Sequence, residues 1–307
     1  MKSGFWGSLP PRPPLSLGWA VKRARELFDP LSVRRARAPA ASSGASSPLA
    51  AFGATTHPVA FAPPVPPRRL RARTGAPGIR EFTDGGRQAA LELASAIEAA
   101  GGSLTRVGSA LDFGCGSGRV LPHLAALAPD ALCSGCDVDS DAINWASRHR
   151  PELDWSISSC DPPLAFAAQS FDLVYSISVF SHLDEHAQDR WLSEVRRILR
   201  PGGVALLSVH GQHAFAQFRS AHVRTAWCRR RAFERPPLAP DEFVFEPYTR
   251  SVWNRADLPG VGAGYGLAFH GGDYVRERWS ATLEVRAVLE RAMTGWQDIV
   301  VCAAPPS

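Results

Sequence analysis

The chain has 307 residues, 45% of them hydrophobic, and a net charge of +5 that is unevenly spread. Residues 1–80 hold thirteen Lys or Arg against two acids, Glu26 and Asp29, so the remainder carries a net charge of −6. The overall basic balance is therefore no argument for a nucleic-acid partner, and no uninterrupted apolar stretch reads as a signal peptide or a membrane span.

The first 75 residues are rich in Pro, Ala, Arg and Ser, with PPRPP, APAASSGASSP and APPVPP. Such a composition buries too little apolar surface to offset chain entropy, so residues 1–75 are expected to be largely disordered, with one amphipathic helix over 17–31. The Arg-rich, acid-poor start resembles an organellar transit peptide. Only two lysines, Lys2 and Lys22, against a large excess of Arg, Ala and Pro point instead to high-GC bacterial coding, and the expectation is a cytoplasmic protein. A domain over 76–307 opens with REFTDGGRQAALEL (80–93), a helix that Thr83 or Asp84 would cap.

Strand and helix patterns then alternate, which argues a parallel sheet covered on both faces. An apolar strand, 107–113, runs into the glycine turn of LDFGCGSGRV (111–120) and on to a helix over 120–128. Glycines at 114, 116 and 118 let the backbone approach a ligand, and the helix that follows points free N–H groups at the turn. The dinucleotide fingerprint Gly-x-Gly-x-x-Gly needs its third glycine at 119, where Arg stands. Asp112, two residues before the turn, would repel a pyrophosphate but not an ammonium or a sulfonium. A second strand, 131–136, ends at Asp137, 25 residues after Asp112, where βαβ nucleotide folds place an acid on the ribose. Asp139 or Ser140 would cap the helix over 142–149. A third strand, 155–158, leads into CDPPLAF (160–166). Strand four, 171–177, is followed by an amphipathic helix over 185–199, stopped by Pro201-Gly202-Gly203, and by strand five, 204–209. Strands over 283–289 and 297–302, joined near Thr294-Gly295, close the chain.

Asp-x-Gly-x-Gly-x-Gly over 112–118 resembles motif I of the class I S-adenosylmethionine (SAM)-dependent methyltransferases. GCDVDSDAI (135–143) resembles their second motif, and the block from FDLVYS to LRPGG (171–203) resembles their fourth motif through the turn at strand five. FHGGDYVRERW (269–279) with QDIVV (297–301) is similar to a bacterial subgroup that often accompanies glycan or secondary-metabolite genes. The resemblance implies a Rossmann-like α/β fold. Its mainly parallel seven-stranded sheet would end in a C-terminal antiparallel hairpin, with a lid insertion over 211–265. It also implies SAM as cofactor, with Gly114, Cys115, Gly116 and Ser117 along its amino-acid end and Asp112 at its amino group. Asp137 and Val138 would lie at its ribose and Cys160 or Asp161 at its adenine. Ser176 would complete the set, and Arg87 would meet the carboxylate or stay exposed.

The implied activity is methyl transfer to a small-molecule or glycan acceptor, with a hydroxyl preferred. A hydroxyl needs a base, and the candidates at the strand ends are His182 and His210, then His213 and His270, beside Ser178 and Asp184. The alternative is a protein of the same fold that binds SAM without transferring methyl. Two further readings are weaker: Cys133-x-x-Cys136 as a metal or redox pair fails because strand residues three apart face opposite ways, and Asp161-Pro162-Pro163 precedes strand four and lacks the aromatic residue of a DNA amino-methylase motif. Aromatic residues Phe243, Phe245, Tyr248 and Trp253 in the insertion read as lid core or as a face for an apolar or sugar acceptor.

Overall fold

A computed structural model describes residues 64–219, 235–248 and 264–305. The readings made on 1–63, on most of CRRRAFERPP (228–237) and on Trp253 lie outside the described residues. Seven strands form one sheet: β1 (Ser109–Phe113), β2 (Leu132–Asp137), β3 (Asp154–Ile157), β4 (Phe171–Ser176), β5 (Leu199–Val209), and the hairpin β8 (Glu284–Met293) and β9 (Gln297–Ala303). Their order is β3-β2-β1-β4-β5-β9-β8. The first five are parallel; β9 runs antiparallel to β5, and β8 to β9. The order in which strands are added reverses between β1 and β4, which is where open α/β sheets leave a crevice for a ligand.

Alternation along each strand sorts side chains to two faces. Ala110, Cys133, Leu173, Tyr175 and Leu206 pack under α2 (Ile79–Ala99) and α3 (Leu121–Leu127). Leu111, Phe113, Cys136, Val174 and Leu207 pack under α5 (Glu185–Ile198), whose Trp191, Leu192, Val195 and Ile198 form its apolar stripe. Cys133 and Cys136 thus fall on opposite faces, and all the cysteines among the described residues are free. Helix α4 (Ser140–His149) is capped by Asp139, whose carboxylate accepts from the Ala142 N–H at 3.2 Å.

Three expectations are corrected. Residues 64–75 are not disordered: α1 (Arg68–Arg73) buries Leu70, and Ala76 beyond it is buried too. Two charged contacts hold α1, because Arg73 donates to both Asp139 oxygens at 2.9 and 2.8 Å while only 15% exposed. Composition misses this because the apolar area comes from the domain beneath. Helix α2 starts earlier than Thr83 or Asp84 allow; Gly78 precedes it, and the Glu81 carboxylate accepts from the Gly78 N–H at 3.0 Å. Strand β5 begins at Leu199 rather than after Gly203, since Leu199 already pairs with Phe171 and the Pro-Gly-Gly stretch is a register shift within the strand.

The described part of the insertion adds α6 (Gln212–Arg219), β6 (Phe243–Pro247) and β7 (Gly266–His270). β6 and β7 form a separate antiparallel pair. With Phe215 and Phe218 of α6 and Leu238, they enclose a small core of their own. α7 (Gly272–Trp279) then returns the chain to the sheet, burying Val275 and Trp279. No helix among the described residues is long and apolar enough to cross a membrane.

Removing the Arg73 guanidinium leaves the nearly buried Asp139 carboxylate without its cation. Arg73→Ala is expected to lower stability by about 1.5–3 kcal/mol. The check is a urea transition whose midpoint falls while its slope holds, in contrast to Arg68→Ala, which should change little.

Candidate active site

The site is built at the carboxyl ends of β1, β2, β4 and β5. The turn after β1 needs left-handed backbone at Gly114 (φ +81°) and Gly116 (φ +55°). Neither position has room for a side chain. A Cβ at Gly114 would lie 2.3 Å from Val179 Cγ2, and one at Gly116 would lie 2.5 Å from the methyl of Thr74 at the end of α1. Cys115 between them and Ser117 just after them are buried. The turn is tied to β2 by the Cys136 carbonyl, which accepts from the Gly114 and Cys115 N–H groups at 2.9 and 3.1 Å.

Asp137, at the tip of β2, holds the turn and the next helix together. Its Oδ2 accepts from the Gly116 N–H at 2.7 Å, and its Oδ1 from the Asp139 N–H at 2.8 Å. Burial pushes this carboxyl upward, against the pull of those N–H bonds. Asp112 lies on the α2/α3 face of β1, 3% exposed, and accepts from the Tyr175 phenol at 2.9 Å. Burial raises it to about 7, opposed by the Tyr175 bond and by the charge of Arg119. One turn thus carries a carboxylate at each end, and burial pushes both upward. Ser117 Oγ and Ser176 Oγ are buried with no hydrogen-bond partner among the described residues.

The loop after β3 is fixed by a buried clamp. Glu194 of α5 accepts from the Leu164 N–H at 2.8 Å and from Arg197, and Arg197 donates to the Phe166 carbonyl at 2.9 Å. Cys160 and Asp161 are exposed on this loop, and Asp161 pairs with Arg190 at 2.7 Å. Val138 follows Asp137 and is half-buried. Arg87 is exposed on α2, whose Gly86 rests on the Arg119 carbonyl.

Beyond β4 and β5 the structure gathers three histidines. His182 sits on the 3₁₀ turn Phe180–His182, with Nδ1 2.9 Å from the Gly266 carbonyl and 2.7 Å from Tyr248 Oη. A carbonyl only accepts, so Nδ1 carries the proton and the Nε2 lone pair is the basic one. Burial lowers this ring to about 4, so it is neutral at pH 7. His210 packs edge-on to His182 at 5.6 Å, between Phe218 and Phe269, and is 2% exposed. His270 is equally closed off, and its Nε2 donates to Gln188 Oε1 at 3.0 Å. The Gln188 amide donates in turn to the Phe180 and Leu183 carbonyls, at 3.2 and 2.9 Å, and so staples the His182 turn. Among these three, His182 alone reaches solvent.

His213 stands apart, edge-on to Trp296 at 6.2 Å. Asp184 caps α5, accepting from the Ala187 N–H at 2.8 Å. Ser178 has a left-handed φ of +62° and is held by Ser208 and Gln297 at 2.8 and 3.0 Å. The sequence reading missed Gln188, Tyr175 and Tyr265, and it named Tyr248 only as lid core or an acceptor face. Gln188 was findable, since it stands three and four residues before Trp191 and Leu192 on the buried stripe. The described residues hold no group of three or more His, Cys, Asp or Glu fit for a metal ion.

Comparison with known proteins agrees with this geometry. Residues 110–203 match the model of a methyltransferase domain. The chain is 33% identical over 113 residues to the malonyl-[acyl-carrier protein] O-methyltransferase of Methylococcus capsulatus, covering 36% of this chain and 40% of that protein. It is 36% identical over 97 residues to the fatty-acid O-methyltransferase of Mycolicibacterium smegmatis, covering 31% and 35%. The chain thus spans about two fifths of the curated relatives it matches. A SAM-dependent methyltransferase structure from Methanosarcina mazei superposes with a TM-score of 0.46 at 19% identity, over 65% of this chain and 93% of that one.

A pH effect on stability follows from Asp112. Its folded value near 7 lies above the ordinary aspartate value of 3.8, so burying it costs nothing in acid and progressively more as pH rises from about 4 to 7. Asp112→Asn keeps an acceptor for Tyr175 and removes that cost. The ligand-free variant should melt higher at pH 8, by roughly 2–4 °C per kcal/mol recovered, and the gain should shrink steadily as the scans are repeated down to pH 5.5.

Proposed function

We propose that the whole chain is a SAM-dependent O-methyltransferase whose acceptor is a hydroxyl of a small molecule or glycan. The observation that carries this reading is the pairing of a two-carboxylate glycine turn with a neutral, tautomer-locked His182 at the adjoining strand end. When bound, SAM supplies the methyl and, through its sulfonium leaving group, the driving force. The residues present fit it. Asp112 is a buried carboxylate for its ammonium, Asp137 an acceptor for its ribose hydroxyls, and the unpartnered Ser117 and Ser176 hydroxyls lie beside the same turn. Cys160 or Asp161, on the loop after β3, would meet the adenine.

The protein's part is mainly proximity and proton handling. His182 Nε2 takes the acceptor hydroxyl proton, and Nδ1 stays hydrogen-bonded to the Gly266 carbonyl, where it stabilises the imidazolium as it forms. Gln188 and Tyr248 keep the ring aimed. His210, buried behind it, has no route to an acceptor in this arrangement and serves as packing.

The relatives support a second reading. Both are O-methyltransferases by name, one of them for fatty acids. A carboxylate acceptor is already deprotonated and needs no base. The two readings part at His182. Purified protein is incubated with methyl-labelled SAM and fractionated extract. For a hydroxyl acceptor, His182→Ala should cut transfer roughly 10²–10⁴-fold and leave SAM affinity unchanged; for a carboxylate acceptor transfer should persist. Asp137→Ala should abolish calorimetric SAM binding in either case with its circular dichroism intact. A wild-type chain that binds SAM yet labels nothing across broad extracts would instead favour a non-catalytic SAM-binding role.

A further inference from the structure

Asp112 and Tyr175 stand directly opposite each other in the parallel pairing of β1 with β4. Residues so paired project to the same face, here the α2/α3 face, where the Tyr175 ring lies among Ala110, Cys133, Leu173 and Leu206. The ring is fully buried, and its hydroxyl ends on Asp112 Oδ2 at 2.9 Å. A phenol taken out of water needs a partner. Burial and the neighbouring carboxylate push it far above its usual value, so it keeps its proton and donates. The bond acts on Asp112 in two ways. It ties down one carboxylate oxygen, which fixes the plane of the group and leaves Oδ1 for a ligand. It also favours the ionised carboxylate, which burial disfavours.

We propose that Tyr175 is a positioning residue for the methyl donor, its hydroxyl holding the Asp112 carboxylate in place for the ammonium of SAM. This rests on the SAM reading above, in which Asp112 meets that ammonium. Tyr175 acts through Asp112 and not on the donor itself. The other charged and titratable groups around Asp112 come from several elements. Arg119, after the glycine turn, pulls the same way as the phenol, and Asp137 at the tip of β2 pushes against it. The Cys115 and Cys133 thiols are raised by burial and stay protonated. His123 of α3 is held down by burial and by Arg150, Arg87 and Arg119, so it adds no charge. Among the described residues the phenol is the hydrogen-bond donor to this carboxylate. A protonated Asp112 offers an ammonium little, so donor affinity becomes a readout of what the phenol does.

The test uses the full chain and S-adenosylhomocysteine, which carries the same ammonium, titrated calorimetrically from about pH 5.5 to 8.5. The chains compared are wild type, Tyr175→Phe, Asp112→Asn and the double variant. Tyr274→Phe, which loses another phenol–carboxylate bond, to Glu185 at 2.9 Å, is the control. Wild-type affinity should rise with pH and level off above about 7. In Tyr175→Phe the rise should move up by about one pH unit, and binding at pH 7 should weaken roughly 3–10-fold. Asp112→Asn should flatten the rise, and adding Tyr175→Phe to it should change nothing further. Tyr274→Phe should follow wild type. Tyr175→Phe with the wild-type profile would overturn the proposal. So would an equal loss at every pH that persists in the Asp112→Asn background, which is what a packing defect gives. Asp112→Asn binding as wild type does would remove the ammonium assignment and the proposal with it. A wild-type chain that fails to bind S-adenosylhomocysteine at any pH would overturn the cofactor reading itself.

Discussion

The Asp137 carboxylate is the point on which the donor side turns. One of its oxygens is bound by the Gly116 N–H and the other by the Asp139 N–H, so a single group sets the position of the glycine turn against the start of α4. Asp139 then caps α4 and accepts the Arg73 guanidinium. Three segments far apart in sequence, α1, the turn after β1 and the loop after β2, are thereby held by two neighbouring carboxylates. The parallel pairing of β1 with β2, Phe113 opposite Cys136, brings the two strand ends level so that this is possible.

The acceptor side is organised differently. Where the donor side uses backbone N–H groups and carboxylates, this side uses neutral rings and carbonyls. Gln188 satisfies two carbonyls of the His182 turn and one imidazole, with its amide 1% exposed. Three imidazoles stay uncharged because burial disfavours their cations. A neutral imidazole has a lone pair to offer, and His182 has its own directed outward by the Gly266 carbonyl.

Much of this was legible in the sequence, and what was not has identifiable causes. The glycine turn, the positions of Asp112 and Asp137 at strand ends, a cap at Asp139 or Ser140 and the succession of the first five strands along the chain follow from local patterns: alternation, glycine spacing and capping chemistry. The hairpin over 284–303 was readable for the same reason, since Thr294 and Gly295 both take positive φ at its turn. Helix α1 was not. Its sequence RRLRAR has one large apolar residue, and its order comes from a partner acid 66 residues away. The insertion was opaque because β6 is aromatic and short, and its meaning depends on β7 twenty residues later. Tyr265 carries no local signal; only the Leu183 bridge brings it to His182.

The way the insertion is attached has an evolutionary consequence. Its own small core of Phe215, Phe218, Val244, Leu267 and Phe269 is separate from the two that sandwich the sheet. Two single bridges, hydrogen bonds such as Asp184 N–H to the Gly264 carbonyl and His270 to Gln188, and aromatic contacts join it to the loops beneath. Substitutions confined to that small core therefore draw little on the packing of the seven-stranded sheet. A lineage of such chains is free to repack the insertion while the two cores of the sheet stay as they are.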